Sequence, residues 1–212
     1  MIRRTLFVCA LLLAASSTAS AQIVEFTPFL GWNFGGTFKN VNVPEGAGVN
    51  NLDIANSLNF GLVTDIAIMP QLQIELLLEW QSTNLQAWNA VTGQNEPVID
   101  PLLVAYYHAG VLFQQARKEI KKAHGFLAIT GGVTNFSSDD AQSETRFSFG
   151  AAGGAKWFFN ERFGARLQSR LMITYFPSTS DLFCSDAGIC YQIPANTFLP
   201  QIDISGGVII AF

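Results

Sequence analysis

Charged residues are scarce in this sequence: Asp, Glu, Lys and Arg make up 13% of its 212 residues, against roughly 25% in a typical soluble domain. A long apolar run is also missing after residue 21, which excludes a transmembrane helix from that part of the chain. Yet 49% of the residues are hydrophobic. We therefore expect the chain to enter lipid as a closed β-barrel, in which all backbone polar groups pair between strands.

The first 21 residues have the pattern of a secretory signal peptide. Arg3 and Arg4 form a basic start, residues 6–15 form a short apolar run, and residues 19–21 supply small side chains for cleavage. The alternative, a membrane anchor, requires about 20 apolar residues. We expect a signal peptide at 1–21 and one mature domain at 22–212. Removing two of the 12 basic residues leaves 10 against 16 acidic ones, a net charge of −6 that offers no footprint for nucleic acid.

Apolar and polar residues alternate with a period of two along most of the mature chain, which is typical of β-strands with two different faces. Seven segments alternate cleanly, and one, 125–136, carries apolar residues on both faces. The sequence predicts an all-β, eight-stranded, antiparallel, up-and-down transmembrane barrel, with strands near 24–35, 57–68, 72–81, 103–113, 125–136, 146–159, 163–175 and 202–212.

Alternation alone does not separate a soluble barrel from a membrane barrel, whose apolar face points outward. Three features favour the membrane barrel: Gly, Ser and charges of both signs on the polar face, strands longer than five or six residues, and aromatic residues near strand ends. These aromatic residues are Trp32, Phe34, Trp80, Trp157, Phe159 and Tyr175. Short connections at 69–71 and 160–162 alternate with long ones at 39–53, 85–98, 137–144 and 177–197. This pattern predicts periplasmic turns, extracellular loops and both termini in the periplasm.

Charged and polar residues at inward positions form one candidate site. They comprise Glu75, Glu79, His108, Arg146, Lys156, Arg166, Arg170 and Asp203, joined by Glu25 and Asp65. An eight-stranded barrel leaves an interior barely wide enough for its side chains, so we expect these charges to pair as a plug. A narrow polar conduit is the alternative. Inward glycines, including Gly31, Gly150 and Gly207, leave some room for it.

The last strand and the last long loop contain two further motifs. The strand ends on Gly206, Val208, Ile210 and Phe212 at alternate positions, a pattern that predicts the signal for the barrel-assembly machinery. Cys184 and Cys190 are the only mature cysteines, and an exported setting favours a disulfide between them over a metal site. Only two histidines occur, without a nearby nucleophile and acid, so no enzyme activity, cofactor or metal is expected.

The sequence resembles the small "porin family" outer-membrane β-barrel domain of the OmpA/OmpX/OmpW-like group. The resemblance lies in residues 106–110, in the glycine-spaced residues 149–157, in Arg166 to Arg170, in the loop cysteines and in Phe212. It covers nearly the whole mature chain. The resemblance implies a monomeric barrel in the outer membrane of a Gram-negative bacterium, with roles in envelope integrity, surface contacts or passage of small molecules.

Two functions follow as hypotheses. The first is a structural and surface-interaction protein, whose partners are outer-membrane lipid, lipopolysaccharide, periplasmic chaperones and the assembly machinery. The alternative is a porin-like protein that passes small or hydrophobic solutes through the lumen or a lateral opening. A third hypothesis, a secreted ligand-binding barrel, is not favoured, because it requires the opposite sidedness and does not explain the terminal assembly strand.

Overall fold

The computed structural model describes residues 24–39, 51–89, 94–115, 123–138, 141–177, 180–184 and 190–212. Within these ranges no helix is long and apolar enough to cross a membrane. The strands are β1 (Val24–Phe34), β2 (Thr37–Lys39), β3 (Asn51–Ile54), β4 (Ser57–Met69), β5 (Leu72–Asn89), β6 (Gln94–Gln114), β7 (Ala123–Ser138), β8 (Ala141–Phe158), β9 (Phe163–Phe176), β10 (Ser180–Cys184), β11 (Cys190–Ile193) and β12 (Thr197–Ala211).

Eight strands close a ring in the order β1, β4, β5, β6, β7, β8, β9 and β12, and every pairing is antiparallel. Strands β2 and β3 extend β1 and β4 as a hairpin that pairs with the outer part of β5. Strands β10 and β11 form a separate hairpin. The predicted eight-stranded antiparallel barrel is therefore confirmed.

The register fixes the tilt of the strands. Following directly paired residues once around the ring from Gln114 leads back to Val104 on the same strand, a stagger of ten residues. Ten residues at about 3.3 Å, over eight strands about 4.8 Å apart, correspond to a tilt of about 40°. This tilt lies within the range that membrane barrels use.

An apolar band surrounds the outside of the barrel. When the stagger is shared evenly among the strands, Trp32, Trp80, Tyr107 and Phe149 lie at one height and face outward. Phe159 lies ten residues beyond Phe149, which is about 25 Å along the barrel axis at this tilt. Aromatic residues thus border a band as tall as the apolar band of outer-membrane barrels.

The inside-out pattern reverses at one end of the barrel, which we call the cap end; the opposite end, where Val24 and Phe212 pair, is the terminal end. On β5, the outward positions 72 to 80 are Leu, Ile, Leu, Leu and Trp, but positions 82, 84 and 86 are Ser, Asn and Gln. The inward positions change in the opposite sense, from Gln73, Glu75 and Glu79 to the buried Leu85 and Ala87. Beyond the aromatic belt, the chain therefore has an apolar core and a polar surface, as soluble sheets do.

We call this outer part the cap. Its core is built from strands on several sides of the ring and comprises Phe38, Leu52, Ile54, Leu85, Ile99, Leu102, Phe136, Phe176, Ile193 and Leu199, all at most 4% exposed. The Phe176 ring on β9 lies 5.4 Å from the Phe38 ring on β2 and 5.9 Å from the Phe136 ring on β7, between centroids. The cap therefore extends across the mouth of the barrel rather than around it.

The predicted long connections differ from the structure at the cap end. Residues 85–98 were expected to be a loop, but β5 continues to Asn89 and β6 begins at Gln94. The reversal explains the difference, because an apolar-inward alternation does not continue the membrane pattern. Strand β7, whose predicted segment had two apolar faces, runs from Ala123 to Ser138, with one register shift against β8 between Phe136 and Ser138. Pro28 interrupts the pairing of β1 with β12 while that of β1 with β4 continues.

Candidate functional site in the barrel interior

Lys156 lies at the centre of an ion network inside the barrel. Its Nζ is 2.6 Å from Glu25 Oε2, 2.7 Å from Asp65 Oδ2 and 2.9 Å from Gln73 Oε1. Lys156 is 0% exposed, and the two carboxylates lie at directly paired positions of β1 and β4. Three acceptors match the three N–H donors of an ammonium group, so this buried cation is fully hydrogen-bonded.

Two arginines on β9 continue the network toward the cap end. Arg166 donates from Nη1 to Asp65 Oδ2 at 2.7 Å and from Nη2 to Glu75 Oε2 at 2.6 Å. Arg170 donates from Nη2 to Glu75 Oε1 at 2.7 Å. Glu75 thus joins both guanidinium groups, and Asp65 joins Arg166 to Lys156. Buried pairs of this kind are costly to break, because the remaining partner becomes an unpaired buried charge.

The charges are divided between opposite walls of the barrel. The three cations stand on β8 and β9, while Glu25, Asp65, Glu75 and Glu79 stand on β1, β4 and β5. Each ion pair therefore crosses the lumen. On β5, Gln73 and Glu79 are six residues apart, so the polar interior extends over about 15 Å of the barrel axis. Opposite walls tied together over this length form a plug.

Apolar side chains border this plug on the wall of β6, β7 and β8 and at the terminal end. The Arg166 guanidinium carbon lies 4.3 Å from the centre of the Phe126 ring, a distance typical of a cation–π contact. Phe126 packs with Leu112, Ala128 and Ala152, and a second cluster of Phe158, Ile209 and Ala211 lies nearby at the terminal end. The ion network is thus enclosed between these clusters and the cap.

The inward glycines Gly150 and Gly207 do not leave free space in the lumen. A Cβ added to Gly150 would lie 2.6 Å from Thr130 Oγ1 and 3.0 Å from Met172 Sδ. A Cβ added to Gly207 would lie 2.8 Å from Thr27 Cγ2. Neighbouring side chains already occupy the volume that these glycines free, so their expected contribution to a conduit is not observed.

His108 belongs to a layer of hydroxyl groups just below the cap. Its Nε2 lies 2.7 Å from Ser148 Oγ and its Nδ1 lies 3.1 Å from Thr130 Oγ1. Thr134 donates to Ser148 at 2.8 Å and lies 3.0 Å from the Thr174 hydroxyl. The Ser148–His108 contact could not be predicted from local sequence patterns, because the two residues are 40 positions apart. A threonine, not an acid, contacts the second ring nitrogen, and all these groups are buried.

Arg146 is not part of the ion network, although the sequence places it there. It lies near the cap end, forms an ion pair with Glu144, and its guanidinium carbon lies 5.7 Å from the centre of the Phe176 ring. The other seven predicted network residues are buried in the interior. His108, however, contacts hydroxyl groups rather than the ions. Gln73, Asn59 and Tyr106 also line the interior and were not predicted as site residues.

The remaining predicted residues are those of the assembly signal, on and after β12, and the two cysteines, on β10 and β11. Phe212 is 76% exposed and Val208 is 55% exposed, on the outward face of β12. Cys184 and Cys190 are directly paired in the register of β10 and β11, and their side chains lie outside the described set. Among the described residues, no group of three or more His, Cys, Asp or Glu side chains is placed to hold a metal ion.

An apolar band between aromatic belts, a closed ring of tilted strands and a charged interior together define an integral outer-membrane β-barrel protein. The chain belongs to the outer membrane protein beta-barrel domain family, whose model matches residues 7–187. This family places the protein in the outer membrane.

Solved structures with the same fold are distant in sequence. OprG of Pseudomonas aeruginosa superposes with a TM-score of 0.65 at 8% identity, over 91% of this chain and 96% of that one. AlkL gives 0.56 at 12% identity, over 93% of each chain. Neisserial surface protein A gives 0.53 at 8% identity, over 92% of this chain and 100% of that one. No curated protein sequence matches the chain.

Proposed function

We propose that this protein is a sealed barrel with a structural and surface-interaction role in the outer membrane. The observation that carries the proposal is the plug of Lys156, Arg166 and Arg170, which is tied to acids on the opposite wall and enclosed between apolar layers. The described side chains tie opposite walls of the lumen together, which supports a barrel closed to solutes, and we propose the outward-facing cap as the part that makes contacts.

The proposed orientation places the terminal end in the periplasm and the cap outside the cell. It is supported by the short turns at 70–71 and 159–162, which lie at the same end as the paired residues Val24 and Phe212. The proposed partners are outer-membrane lipid, lipopolysaccharide, periplasmic chaperones and the assembly machinery. The exposed Phe212 at the end of a barrel strand supports the last of these. We further propose that residues 1–21 are a signal peptide and that the barrel is a monomer.

A disulfide between Cys184 and Cys190 belongs to the same proposal. Directly paired residues of antiparallel strands have Cα atoms about 4.5–5.5 Å apart, within the range that disulfides span. Ile193 at the base of this hairpin is fully buried in the cap core. The staple would hold an external hairpin on the cap. Mass spectrometry of alkylated native protein tests this, and two alkylated thiols would contradict it.

We further propose that the protein is not an enzyme. The Ser148–His108 pair, which has the nearest likeness to a catalytic arrangement, is completed by a threonine and is shielded by the cap. Nucleophilic catalysis needs an activated, accessible nucleophile whose base is oriented by a third group. A Ser-directed fluorophosphonate probe should leave the folded protein unlabelled.

Passage of small hydrophobic solutes remains a second candidate because the barrel wall is incomplete at one place. Strand β12 pairs with β1 only as far as Phe34 and Ile202, and its residues 197–201 pair with β9 alone. A groove of about 590 Å³ lies there, lined by Gly35, Gly36, Thr37, Lys39, Thr197, Phe198 and Pro200. This groove lies on the cap side of the belt residue Trp32, where lipid and the cap meet.

Single-channel conductance of the refolded mature protein in planar bilayers separates the two functions. A sealed barrel gives no conductance steps, with folding verified by heat-dependent migration on gels. Steps that change when Arg166 and Arg170 are replaced by Ser would refute the plug. For the groove, the uptake of a hydrophobic dye into vesicles should be the same for the wild type and for a Thr37→Trp variant. Uptake that falls in the variant would favour passage.

A further inference from the structure

Buried acidic side chains outnumber basic ones in the described interior. Three cations, on Lys156, Arg166 and Arg170, contact three carboxylates within 2.7 Å, those of Glu25, Asp65 and Glu75. Two more carboxylates, on Glu79 and Asp203, are each 1% exposed and form no ion pair with a described residue. The formal charges of the ion network therefore balance, and a formal charge of −2 is left on its cap side.

The two remaining carboxylates lie side by side. Asn59 Nδ2 donates to Glu79 Oε1 at 2.6 Å and lies 3.4 Å from Asp203 Oδ2, so one amide group touches both acids. The shared stagger of the strands places Glu79, Asn59, Asn33 and Asp203 at one height, on the four neighbouring strands β5, β4, β1 and β12. These four side chains form one arc of the interior wall.

Several oxygen atoms of this arc have no hydrogen-bond partner among the described residues. They include Glu79 Oε2, Asp203 Oδ1 and the side-chain oxygen of Asn33. Asn33 is 0% exposed and directly paired with Asp203, its amide group interacts with Glu79, and its side-chain oxygen has no hydrogen-bond partner among the described residues. Buried polar groups in native proteins are nearly always satisfied, so unpartnered oxygens beside two close carboxylates indicate a missing positive partner.

Arg170 interacts with both acids but does not neutralise them, because its charge is matched by Glu75. It is directly paired with Asp203 across β9 and β12, and its Nε and Nη1 donors have no hydrogen-bond partner among the described residues. Because Glu75 also takes a hydrogen bond from Arg166, the charge of Arg170 is already counted in the balanced network.

We propose that Glu79, Asp203 and Asn33 bind a divalent cation, with Ca²⁺ as the best match, and that Asn59 positions the two carboxylates. All donors are oxygens, which hard cations prefer. A divalent ion matches the residual charge of −2. Ca²⁺ tolerates irregular oxygen geometry, whereas Mg²⁺ requires a near-ideal octahedron. Because the cap and the ion network enclose the site, the ion enters while the barrel closes and stays in the folded protein.

Tyr106 provides an optical probe for the site. It is directly paired with Glu79 across β5 and β6, is fully buried, and donates to Gln201 Oε1 at 2.5 Å. Terbium replaces calcium at oxygen sites and emits when a nearby tyrosine is excited. The protein is refolded in detergent with EDTA, with Ca²⁺ or with Tb³⁺. Emission and thermal unfolding are then measured for the wild type, for Tyr106→Phe and for a Glu79→Gln/Asp203→Asn double variant.

We expect Tb³⁺ emission from the wild type refolded with Tb³⁺, weaker emission when Ca²⁺ competes during refolding, and a higher unfolding temperature after refolding in Ca²⁺ than in EDTA. The double variant should lose about ten-fold or more in Tb³⁺ affinity, together with its response to Ca²⁺, since ligand charge sets the affinity of such sites. Tyr106→Phe should lose the part of the emission that Tyr106 sensitises but keep the stabilisation by Ca²⁺. Glu144→Gln, at the cap end and outside the arc, is the matched control and should behave as the wild type.

Equal Tb³⁺ emission and equal Ca²⁺ response in the wild type and the double variant would overturn the proposal. So would a double variant that is more stable than the wild type in EDTA while Ca²⁺ stabilises neither, because protons would then neutralise the pair. If the double variant does not fold, Asn33→Leu takes its place. This variant keeps both acids and loses one ligand, so an unchanged affinity for Tb³⁺ would contradict the site.

Discussion

Replacing Lys156 with Met tests whether the ion network holds the barrel together. The change keeps the length of the side chain but removes the ammonium group, and with it contacts at 2.6 and 2.7 Å to Glu25 and Asp65. Each charge-assisted hydrogen bond contributes about 1.5–3 kcal/mol, and loss of one partner of a buried pair costs about 3–5 kcal/mol. We expect a decrease of about 3–5 kcal/mol in the free energy of unfolding, measured by urea titration in lipid vesicles with tryptophan fluorescence.

The control is Lys39→Met at the exposed edge of the cap, which should change the free energy of unfolding by no more than about 0.5 kcal/mol. Adding Glu25→Gln to Lys156→Met should recover part of the loss, because it removes one of the two carboxylates left without a cation. A loss below about 1 kcal/mol for Lys156→Met would refute the reasoning, since the interior would then be hydrated enough for these ion pairs to contribute as little as exposed ones do.

Three further changes test other parts of the structure. Phe176→Ala removes the ring that joins two sides of the cap core and should lower the free energy of unfolding by about 3–5 kcal/mol. An unchanged urea midpoint for this variant would mean that the cap does not fold with the barrel. Gly150→Ala forces a Cβ to 2.6 Å from Thr130 Oγ1 and should cost about 1–3 kcal/mol, again by urea titration. Leu127 is 69% exposed near the middle of the apolar band, and Leu127→Arg should lower the free energy of unfolding by about 2–4 kcal/mol. Ser82→Arg, on the cap side of the belt, should leave it nearly unchanged in the same vesicles.

The strand faces were the part of the fold that could be read from the sequence. On β5, the prediction that the even-numbered residues from Leu72 to Trp80 face outward and that Glu75 and Glu79 face inward is correct. Period-two alternation is a local property of the chain, so it can be read from the sequence. The ends of β1, β4 and β9 were predicted within one residue, but the ends of β5 and β6 at the cap were not. Alternation continues past Trp80, but there the outward residues are polar and the inward residues are apolar. A prediction based on outward apolar residues therefore ends the strand where its surroundings change from lipid to water.

The partners inside the barrel could not be read from the sequence. Lys156 and Glu25 are 131 residues apart, and their contact depends on the stagger of the closed ring, which no local pattern specifies. Arg146 has the same inward phase as Lys156 but lies too close to the cap end to reach the ions. Phase along a strand thus predicts the face of a residue, whereas its height, and so its neighbours, requires the register.

The division of charge between the walls also makes the two halves of the chain unlike each other. Strands β1 to β6 bring four carboxylates to the lumen, whereas β7 to β12 bring three cations and one carboxylate. A ring assembled from two copies of the first half would enclose repelling acids, and one from two copies of the second half would enclose surplus cations. Only the two different halves of one chain neutralise each other. The lumen therefore acts as a recognition code during assembly, and it disfavours exchange of identical halves between neighbouring molecules in a crowded membrane.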